Sequence, residues 1–404
     1  MKTKLITVLL MITLLSVSTV YGQSFFRENT MTIFKGDVDK LMDVNDYAEV
    51  DINKVYIAAG ARLDDKGSPV RDVRGGFAIN TEKLHFGLFY SGNFWSGHGN
   101  TTLIGSNRAD TADIGMVLDN HFLIMLGNEN IGGIGINFAL HQLRIDEDVN
   151  GGNTNKYGAG SIDIGAVWGK NFGVGEGTLK PELGFMVEIN MEKWEDNSGN
   201  KNNKDHSSLA FILTAEYLFP REGNHQTTLS FGDYPVFILP YTNDGPPSNK
   251  HDGSFYNTLF GELKQVYDLS GSLSLGYLVG LSLAMNLPGD NYFHFGFLPR
   301  ISCGLAYKVN EKFTFNTGVR LGSLEPEIVH PGNMDDSFGF FYTSYKPSGS
   351  EYKNYYFLPF TGAWGIGLLW KPEEIFSADF SVDSKLSAGG GSNFNFNVLF
   401  TLSL

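Results

Sequence analysis

The stretch SLSLGYLVGLSLAMNL, residues 272 to 287, alternates strictly between large apolar side chains and small or polar ones. One face carries Leu273, Leu275, Tyr277, Val279, Leu281, Leu283, Met285 and Leu287. A period of two predicts a β-strand. At about 3.3 Å per residue this strand spans about 50 Å, whereas strands of soluble proteins usually hold about five or six residues.

The same alternation recurs along most of the chain, for example in residues 292–308, 312–321 and 355–371. About 16 such segments begin near residues 53, 72, 83, 112, 132, 158, 178, 208, 226, 254, 272, 292, 312, 355, 374 and 393. The segments near 53 and 72 are short, and the alternation changes phase near Asp233 and Pro235. Fourteen strands is therefore the alternative to sixteen.

The connections between these segments alternate in length. Short polar turns are expected at 80–83, 128–132, 173–177, 220–225, 268–271, 309–312 and 371–374. Mostly longer loops are expected at 64–71, 96–111, 146–157, 195–207, 241–253, 288–291, 325–354 and 387–392. Short turns at one end and longer loops at the other are typical of an outer-membrane barrel.

Long strands with one apolar face favour a closed sheet in a membrane, because every backbone polar group must be paired within the hydrocarbon. A soluble β-sandwich would have shorter strands and an apolar interior. The sequence therefore predicts an all-β fold, a transmembrane antiparallel up-and-down β-barrel formed by residues 53–404.

Composition excludes several function classes. The net charge of −14 lacks the basic surface of a nucleic-acid-binding protein, so no nucleic acid is expected as a partner. The single cysteine, Cys303, forms no disulfide within the chain. No Cys or His spacing indicates a metal site, and no residue set indicates a catalytic nucleophile with its base. We expect no cofactor and no enzyme activity.

The first residues have the pattern of a secretory signal peptide. Lys2 and Lys4 precede the apolar run from Leu5 to Leu15, and Gly22 ends a stretch of small residues. We predict a signal peptide at 1–22. Residues 23–52 then form an N-terminal extension, either a plug in the barrel or a loose leader, with a short helix expected within 37–47.

Aromatic side chains fall at the ends of the apolar faces, where amphipathic rings favour the boundary between membrane and water. The predicted girdle is Trp95, Trp168, Trp194, Tyr217, Tyr267, Tyr307 and Trp370.

Charged side chains fall mostly on the other, inward face. The predicted pore-lining residues are Asp163, Glu182, Glu188, Glu216, Glu262, Lys264, Arg300, Lys308, Arg320, Asp379 and Asp383. Few charges fall on the apolar face, where each would cost about 2–4 kcal/mol at the midplane. We expect a polar, hydrated lumen.

These features together resemble the porin-like superfamily of bacterial outer-membrane β-barrels, over nearly all of residues 53–404. The last strand, 393–404, alternates like the closing signal that barrel-assembly machinery recognises, although Leu404 replaces the commoner terminal Phe. The resemblance implies an integral protein in the outer membrane of a Gram-negative-type envelope, in contact with its lipid, with a homotrimer as one oligomeric state.

The leading function that this implies is a porin-like channel for passive or weakly selective passage of small hydrophilic solutes. A barrel of about 16 strands is wide enough for an aqueous channel. One alternative is a plugged barrel that takes up hydrophobic ligands, resembling fatty-acid transporters, with Phe89, Leu278, Leu298 and Phe357 facing inward. Another is a surface adhesin or structural barrel that acts through its extracellular loops. Loop 325–354 either folds into the channel or stands outside it.

Cleavage of the signal peptide gives the first prediction. Loss of residues 1–22 removes Lys2 and Lys4 and no acid, so the formal charge changes from −14 to −16. N-terminal sequencing of the exported chain should begin at Gln23. A chain that keeps residues 5–15 after export would contradict the prediction.

Overall fold

The computed structural model describes residues 41, 43–50, 54–64, 72–97, 112–149, 153–195, 201–243, 249–287, 292–322, 339–345, 352–358, 361–387 and 393–404. They form one single-turn helix, α1 (Val44–Tyr47), and a sheet of 21 strands. Among these residues, no helix has the length and apolarity needed to cross a bilayer.

The strands follow one another along the chain. They are β1 (Lys54–Asp64), β2 (Asp72–Asn80), β3 (His85–Gly97), β4 (Ala112–Asn128), β5 (Gly132–Val149), β6 (Asn153–Gly169), β7 (Phe172–Val174), β8 (Gly177–Glu195), β9 (Lys201–Leu218), β10 (His225–Ile238), β11 (Tyr241–Asn243), β12 (Asn249–His251), β13 (Ser254–Ser270), β14 (Leu273–Leu287), β15 (Tyr292–Lys308), β16 (Phe313–Leu321), β17 (Gly339–Tyr345), β18 (Tyr352–Leu358), β19 (Thr361–Glu373), β20 (Phe376–Ser387) and β21 (Asn393–Ser403).

Antiparallel pairing closes the sheet into a barrel. Each wall strand pairs with its neighbours along the chain, and β1 pairs with both β2 and β21. The closed barrel has 16 strands, namely β1–β6, β8–β10, β13–β16 and β19–β21. The predicted fold class and the predicted number of strands are confirmed.

The remaining short strands lengthen the wall at its ends. β7 pairs with β8 beyond β6, at the end with the short turns. β11 and β12 pair with each other at the other end. Strands β5 and β9 also run into the expected loops 146–157 and 195–207, so the wall is taller than the sequence predicted.

The prediction of a single loop at 325–354 followed by one strand is wrong. Within it, β17 pairs with β15 and with β18. Strand β15 therefore pairs with β16 along Ile301–Lys308 and with β17 along Tyr292–Phe297. Gly322, with φ of 93°, ends β16 beside Pro299, which lies between the two paired stretches. The rest of the predicted loop lies outside the described residues.

The predicted change of phase at Asp233 and Pro235 is also wrong. The register of β10 against β13 is continuous from His225 to Ile238. Asp233 therefore lies on the same face as Phe231 and Phe237, both exposed.

The two faces of the wall differ in chemistry. Large apolar side chains such as Val279, Ile301 and Val319 are about half exposed, at 50%, 49% and 58%. Exposed rows of this kind are unfavourable in water and are expected of a surface that contacts lipid. The buried, inward face instead carries mostly small, polar and charged side chains.

Rings predicted for the girdle lie at the short-turn end of the wall. Trp168 donates its indole N–H to the carbonyl of Ile131, at 2.8 Å, and Tyr217 donates to the carbonyl of Val174, at 3.1 Å. Tyr267 stacks on Tyr277, Trp370 stacks on Phe313, and Tyr307 is exposed. The side chains of Trp95 and Trp194 lie outside the described part.

A lysine on the lipid face should destabilise the barrel. Val279→Lys places a charge near the middle of β14, and we expect a loss of about 2–4 kcal/mol in the free energy of unfolding. Val309→Lys is the matched control, because Val309 is 54% exposed in the short turn after β15 and a charge near the interface costs about 0–1 kcal/mol. Denaturant titration in lipid vesicles measures both, and equal losses would contradict this orientation of the wall.

Candidate functional site

Residues 43–50 pack on the inward face of the barrel near its short-turn end. Asp43 caps α1 by accepting hydrogen bonds from the backbone N–H of Asn45, at 2.9 Å, and of Asp46, at 3.2 Å. A short side chain that accepts at this position favours the start of a helix. Of the expected helical stretch 37–47, the structure describes this single turn as helix.

Two glycines on the wall make room for α1. Gly133 of β5 and Gly169 of β6 are direct partners across the two strands. A Cβ on Gly133 would lie 2.1 Å from the carbonyl oxygen of Val44, and one on Gly169 would lie 2.6 Å from Oδ1 of Asn45. The helix backbone therefore rests directly on the backbone of the sheet.

Polar bonds hold the same segment to two wall strands, β3 and β8, and to a turn. Asn45 donates from Nδ2 to Oε1 of Glu182, at 3.0 Å, and Lys180 forms an ion pair with Asp46. Asn171 donates to Oε1 of Glu49, at 2.6 Å. In addition, Nδ1 of His85 lies 3.0 Å from the carbonyl oxygen of Tyr47 and must donate, because a carbonyl oxygen only accepts.

An apolar cluster lies beside these bonds. Its buried members are Leu41, Val44, Tyr47, Tyr56, Ala78, Phe89, Met125 and Leu399. Tyr47 is fully buried, its ring meets His85 edge-on, and its hydroxyl has no hydrogen-bond partner in the described structure. Burial raises the pKa of that hydroxyl above its usual value. This segment is thus anchored by apolar packing as well as by polar bonds.

The wall formed by β6, β8 and β9 carries acidic side chains. Asp163 and Glu188 are direct partners across β6 and β8 and are 0% and 2% exposed. His141 lies 3.1 Å from Oδ2 of Asp163, and Ser208 donates to Oε2 of Glu188, at 3.0 Å. Pairing of this kind reduces the cost of burying a carboxylate.

The wall formed by β13 to β16 carries the buried arginines. Glu262, Gly280 and Arg300 lie in one row across β13, β14 and β15, and Glu262 forms an ion pair with Arg300. Gly280 permits this contact across β14, since a Cβ there would lie 2.8 Å from Cγ of Glu262. Next to them, Nε of Arg320 donates to the carbonyl oxygen of Gly322, at 3.2 Å.

Several other predicted pore-lining residues lie on this inward face. Glu216 accepts from Ser230 at 3.4 Å, and Asp383 accepts from Asn397 at 3.0 Å. Lys264 and Asp379 are half-buried. Lys308 is exposed at the last position of β15, next to a short turn, and so lies at the mouth.

The expectation of a hydrated wall is not met at the central charges. Asp163, Glu188, Arg300 and Arg320 are all less than a tenth exposed. A charged side chain that lines open water would keep much of its surface exposed. These four charges are paired or hydrogen-bonded and have little exposed surface.

Sequence reasoning placed Glu182 on the inward face but missed the other residues that hold α1. Gly133 follows a short turn and Gly169 precedes one. A turn alone is enough to explain a glycine at either position. Asn45 and Asp46 lie in an acidic stretch that reads as solvated surface. Two glycines that face each other across a predicted β-hairpin are a signal that could have indicated a close approach of backbone.

No family model and no curated protein matches the chain. Solved structures do match. The structures that match are outer-membrane β-barrel proteins.

Three of these structures illustrate the likeness. CdiB from Acinetobacter baumannii has a TM-score of 0.45 and 8% identity, over 87% of this chain and 60% of that one. A FadL homologue from Pseudomonas aeruginosa has a TM-score of 0.39 and 11% identity, over 95% of each chain. A loop-deletion mutant of OmpT, an outer membrane protein of Vibrio cholerae, has a TM-score of 0.37 and 9% identity, over 87% and 98%. The likeness extends to the fold alone, and the chain spans about three fifths of the length of CdiB.

Replacing only one partner of the buried ion pair between Glu262 and Arg300 should destabilise the barrel more than replacing both. Arg300→Met leaves Glu262 buried without its base, and we expect a loss of about 3–5 kcal/mol in the free energy of unfolding. The double variant Glu262→Gln/Arg300→Met should lose less than half as much, because no unpaired charge remains. Lys308→Met, at an exposed position of the same strand, is the control. Vesicle unfolding measures all three, and a loss in the double variant as large as that in Arg300→Met would contradict the coupling.

Proposed function

We propose that this protein is an outer-membrane transport barrel whose lumen is closed near the short-turn end by Leu41 and residues 43–50, which we call the plug. Small hydrophilic solutes pass when the plug leaves the wall. The observation that carries the proposal is the burial of α1 on the inward face, with Tyr47 fully buried between it and the wall. An outer-membrane location, export by a signal peptide at 1–22 and no enzyme activity are parts of the same proposal.

A plug of this kind suits a gate, because it is small. α1 has one turn, and an isolated turn is not stable by itself. Each hydrogen bond to the wall contributes about 1 kcal/mol, and each 1.4 kcal/mol changes an equilibrium about tenfold. The loss of one or two contacts is therefore enough to shift the population between closed and open states.

The interior favours a gated barrel over a permanently open porin. Acids on β6 and β8 and arginines on β15 and β16 are buried, and each forms at least one hydrogen bond or ion pair with a neighbour. Since most of the described inward face is polar, small hydrophilic solutes fit it better than apolar ones.

One observation favours a second candidate, uptake of hydrophobic ligands. The plug covers an apolar surface that includes Phe89 and Met125, and an apolar ligand would find that surface uncovered when the plug leaves. Phe89, Leu278 and Leu298 are buried as this alternative requires, and the side chain of Phe357 lies outside the described part. Flux of a hydrophilic sugar and binding of a fluorescent fatty acid, measured on the same protein, distinguish the two. The third alternative, a surface adhesin, would show neither.

Assembly follows from the same fold. Strand β21 closes the barrel by pairing with β20 and β1. We propose that the C-terminal strand 393–404 is the segment that barrel-assembly machinery recognises, and that the exposed apolar face contacts outer-membrane lipid. A homotrimer remains the oligomer that the resemblance to porins implies.

Adding one methyl group under the plug should open the barrel. In Gly133→Ala the new Cβ meets the carbonyl oxygen of Val44, and overpacking of this kind costs about 1–3 kcal/mol. That cost corresponds to a rise of about 5- to 150-fold in the ratio of open to closed states. Planar-bilayer recordings of single channels measure the open probability directly.

The matched control is Gly173→Ala, because a Cβ at Gly173 meets no atom within 4 Å. We expect its conductance to equal that of the unchanged protein. Gly169→Ala should act like Gly133→Ala, since its Cβ meets Oδ1 of Asn45. A change in gel mobility on heating shows that each of the four proteins, the unchanged one and the three variants, is folded. If all four are folded and have the same open probability, the plug is not the gate.

A further inference from the structure

Asp233 places a carboxyl group in the middle of the lipid-facing surface. Its direct partner on β9 is Leu213. Leu213 is the midpoint of the outward row of β9 that runs from Tyr217, near the short turns, to Leu209. At about 3.3 Å per residue, Asp233 is therefore about 13 Å along the strand from either end of this apolar row. An ionisable side chain at that depth is costly and indicates a functional contact.

The wall of the barrel does not satisfy this carboxyl. Asp233 pairs with Leu259 of β13, and Asn257 lies two residues from Leu259 on the same outward face. Such diagonal neighbours are about 7–8 Å apart. Oδ1 of Asp233 and Oδ1 of Asn257 are covered and have no hydrogen-bond partner in the described structure, although both residues are partly exposed. The exposed polar atoms are therefore Oδ2 of Asp233, an acceptor, and Nδ2 of Asn257, a donor.

A hollow and a projecting ring lie next to these polar groups. Gly261 of β13 is on the outward face, and a Cβ there would meet no atom within 4 Å. Leu259 and Leu263, its neighbours on that face, are both exposed, so Gly261 forms the floor of a hollow between them. Directly across on β10, the ring of Phe231 is 52% exposed. The patch thus combines an acceptor with a donor, and a projection with a hollow.

These four features are self-complementary under a twofold axis. An axis along the membrane normal, between β10 and β13, sets β10 of each copy against β13 of the other. Phe231, which is opposite Gly261 within one chain, then meets Gly261 of the other copy, and Asp233 comes beside Asn257 of the other copy. The two carboxyl groups stay on opposite sides of the axis. An isologous contact of this kind forms every interaction twice.

We propose that the outward face of β10 and β13 is the surface through which two copies of this chain associate in the membrane. Within hydrocarbon, association depends on close packing and on hydrogen bonds between polar side chains. The Phe231 ring fills the hollow at Gly261, and Nδ2 of Asn257 donates to Oδ2 of Asp233 in the other copy. The carboxyl group that lipid leaves unsatisfied is thereby hydrogen-bonded. This contact goes beyond the transport function and does not depend on the plug.

Association is measured on the full chain in lipid vesicles, by energy transfer between copies labelled at Glu176→Cys. Glu176 lies in the exposed turn between β7 and β8, and Cys303→Ser removes the native cysteine. Dilution with lipid gives the dissociation constant of a two-copy complex. Asp233→Leu should weaken association at least about tenfold, or 1.4 kcal/mol, because each dimer loses two hydrogen bonds.

Two further variants separate this contact from a structural role of Asp233. Asp233→Asn keeps an acceptor and should associate like the unchanged protein. Asp205→Leu makes the matched substitution at an exposed outward position of β9, beyond the apolar row, and should also associate like the unchanged protein. Because Asp233→Leu removes a carboxyl group from the lipid face, the free energy of unfolding should not fall, whereas loss of a structural role would lower it.

The twofold geometry is tested by mixing a tagged Leu229→Cys protein with a Leu263→Cys protein, both with Cys303→Ser. Leu229 and Leu263 are exposed and are direct partners across β10 and β13. The axis therefore sets Leu229 of one copy against Leu263 of the other, and oxidation should give a mixed disulfide. In the control mixture, Val319→Cys on the exposed face of β16 replaces Leu263→Cys and should give none.

Three results would overturn the contact. The first is a mixed disulfide no more abundant than in the control mixture. The second is Asp233→Leu associating as tightly as the unchanged protein. The third is a complex of three copies, as the resemblance to porins implies, counted by stepwise photobleaching.

Discussion

Pairing of the backbone inside a membrane is the constraint on which the rest of this structure depends. Hydrocarbon offers no hydrogen-bond partner, so a sheet that crosses it must have no free edge. The pairing of β1 with β21 removes that edge by joining the first and last strands of the sheet. Once the sheet is closed, each strand has one face toward lipid and one toward the interior, and the period of two in the sequence becomes a division between apolar and polar surfaces.

The interior then needs its own solution, because charges removed from water must be paired. Two arrangements meet this need on different parts of the wall. On β6 to β9, buried acids accept hydrogen bonds from a histidine and a serine on neighbouring strands. On β13 to β15, an acid and an arginine reach across an intervening glycine. The plug resembles the second arrangement, since it too lies against glycines of the sheet, where no side chain keeps it away.

The fold was readable from the sequence, and the candidate site was only partly so. Alternation depends only on residues that are close in sequence, so residues 272–287 alone indicate a long strand. The short turns indicate which strands are neighbours in the wall. The alternation near Asp233 and Pro235 suggested a shift of phase, yet β10 keeps its register through both residues. Contacts between Val44 and Gly133, or between Asp46 and Lys180, join residues far apart in the chain, and no local pattern records them.

Strand β15 changes its partner halfway along its length, from β16 to β17, and this makes the barrel tolerant of changes in the chain between those two strands. β16 and β17 lie in line on the same neighbour, with the chain leaving after Gly322 and returning at Gly339. Because β15 fixes the register of both β16 and β17, the length of the chain between these two strands does not affect the shear of the barrel. Segments of different length can therefore be exchanged at this point during evolution, or grafted by design, without altering the diameter or tilt of the barrel that carries them.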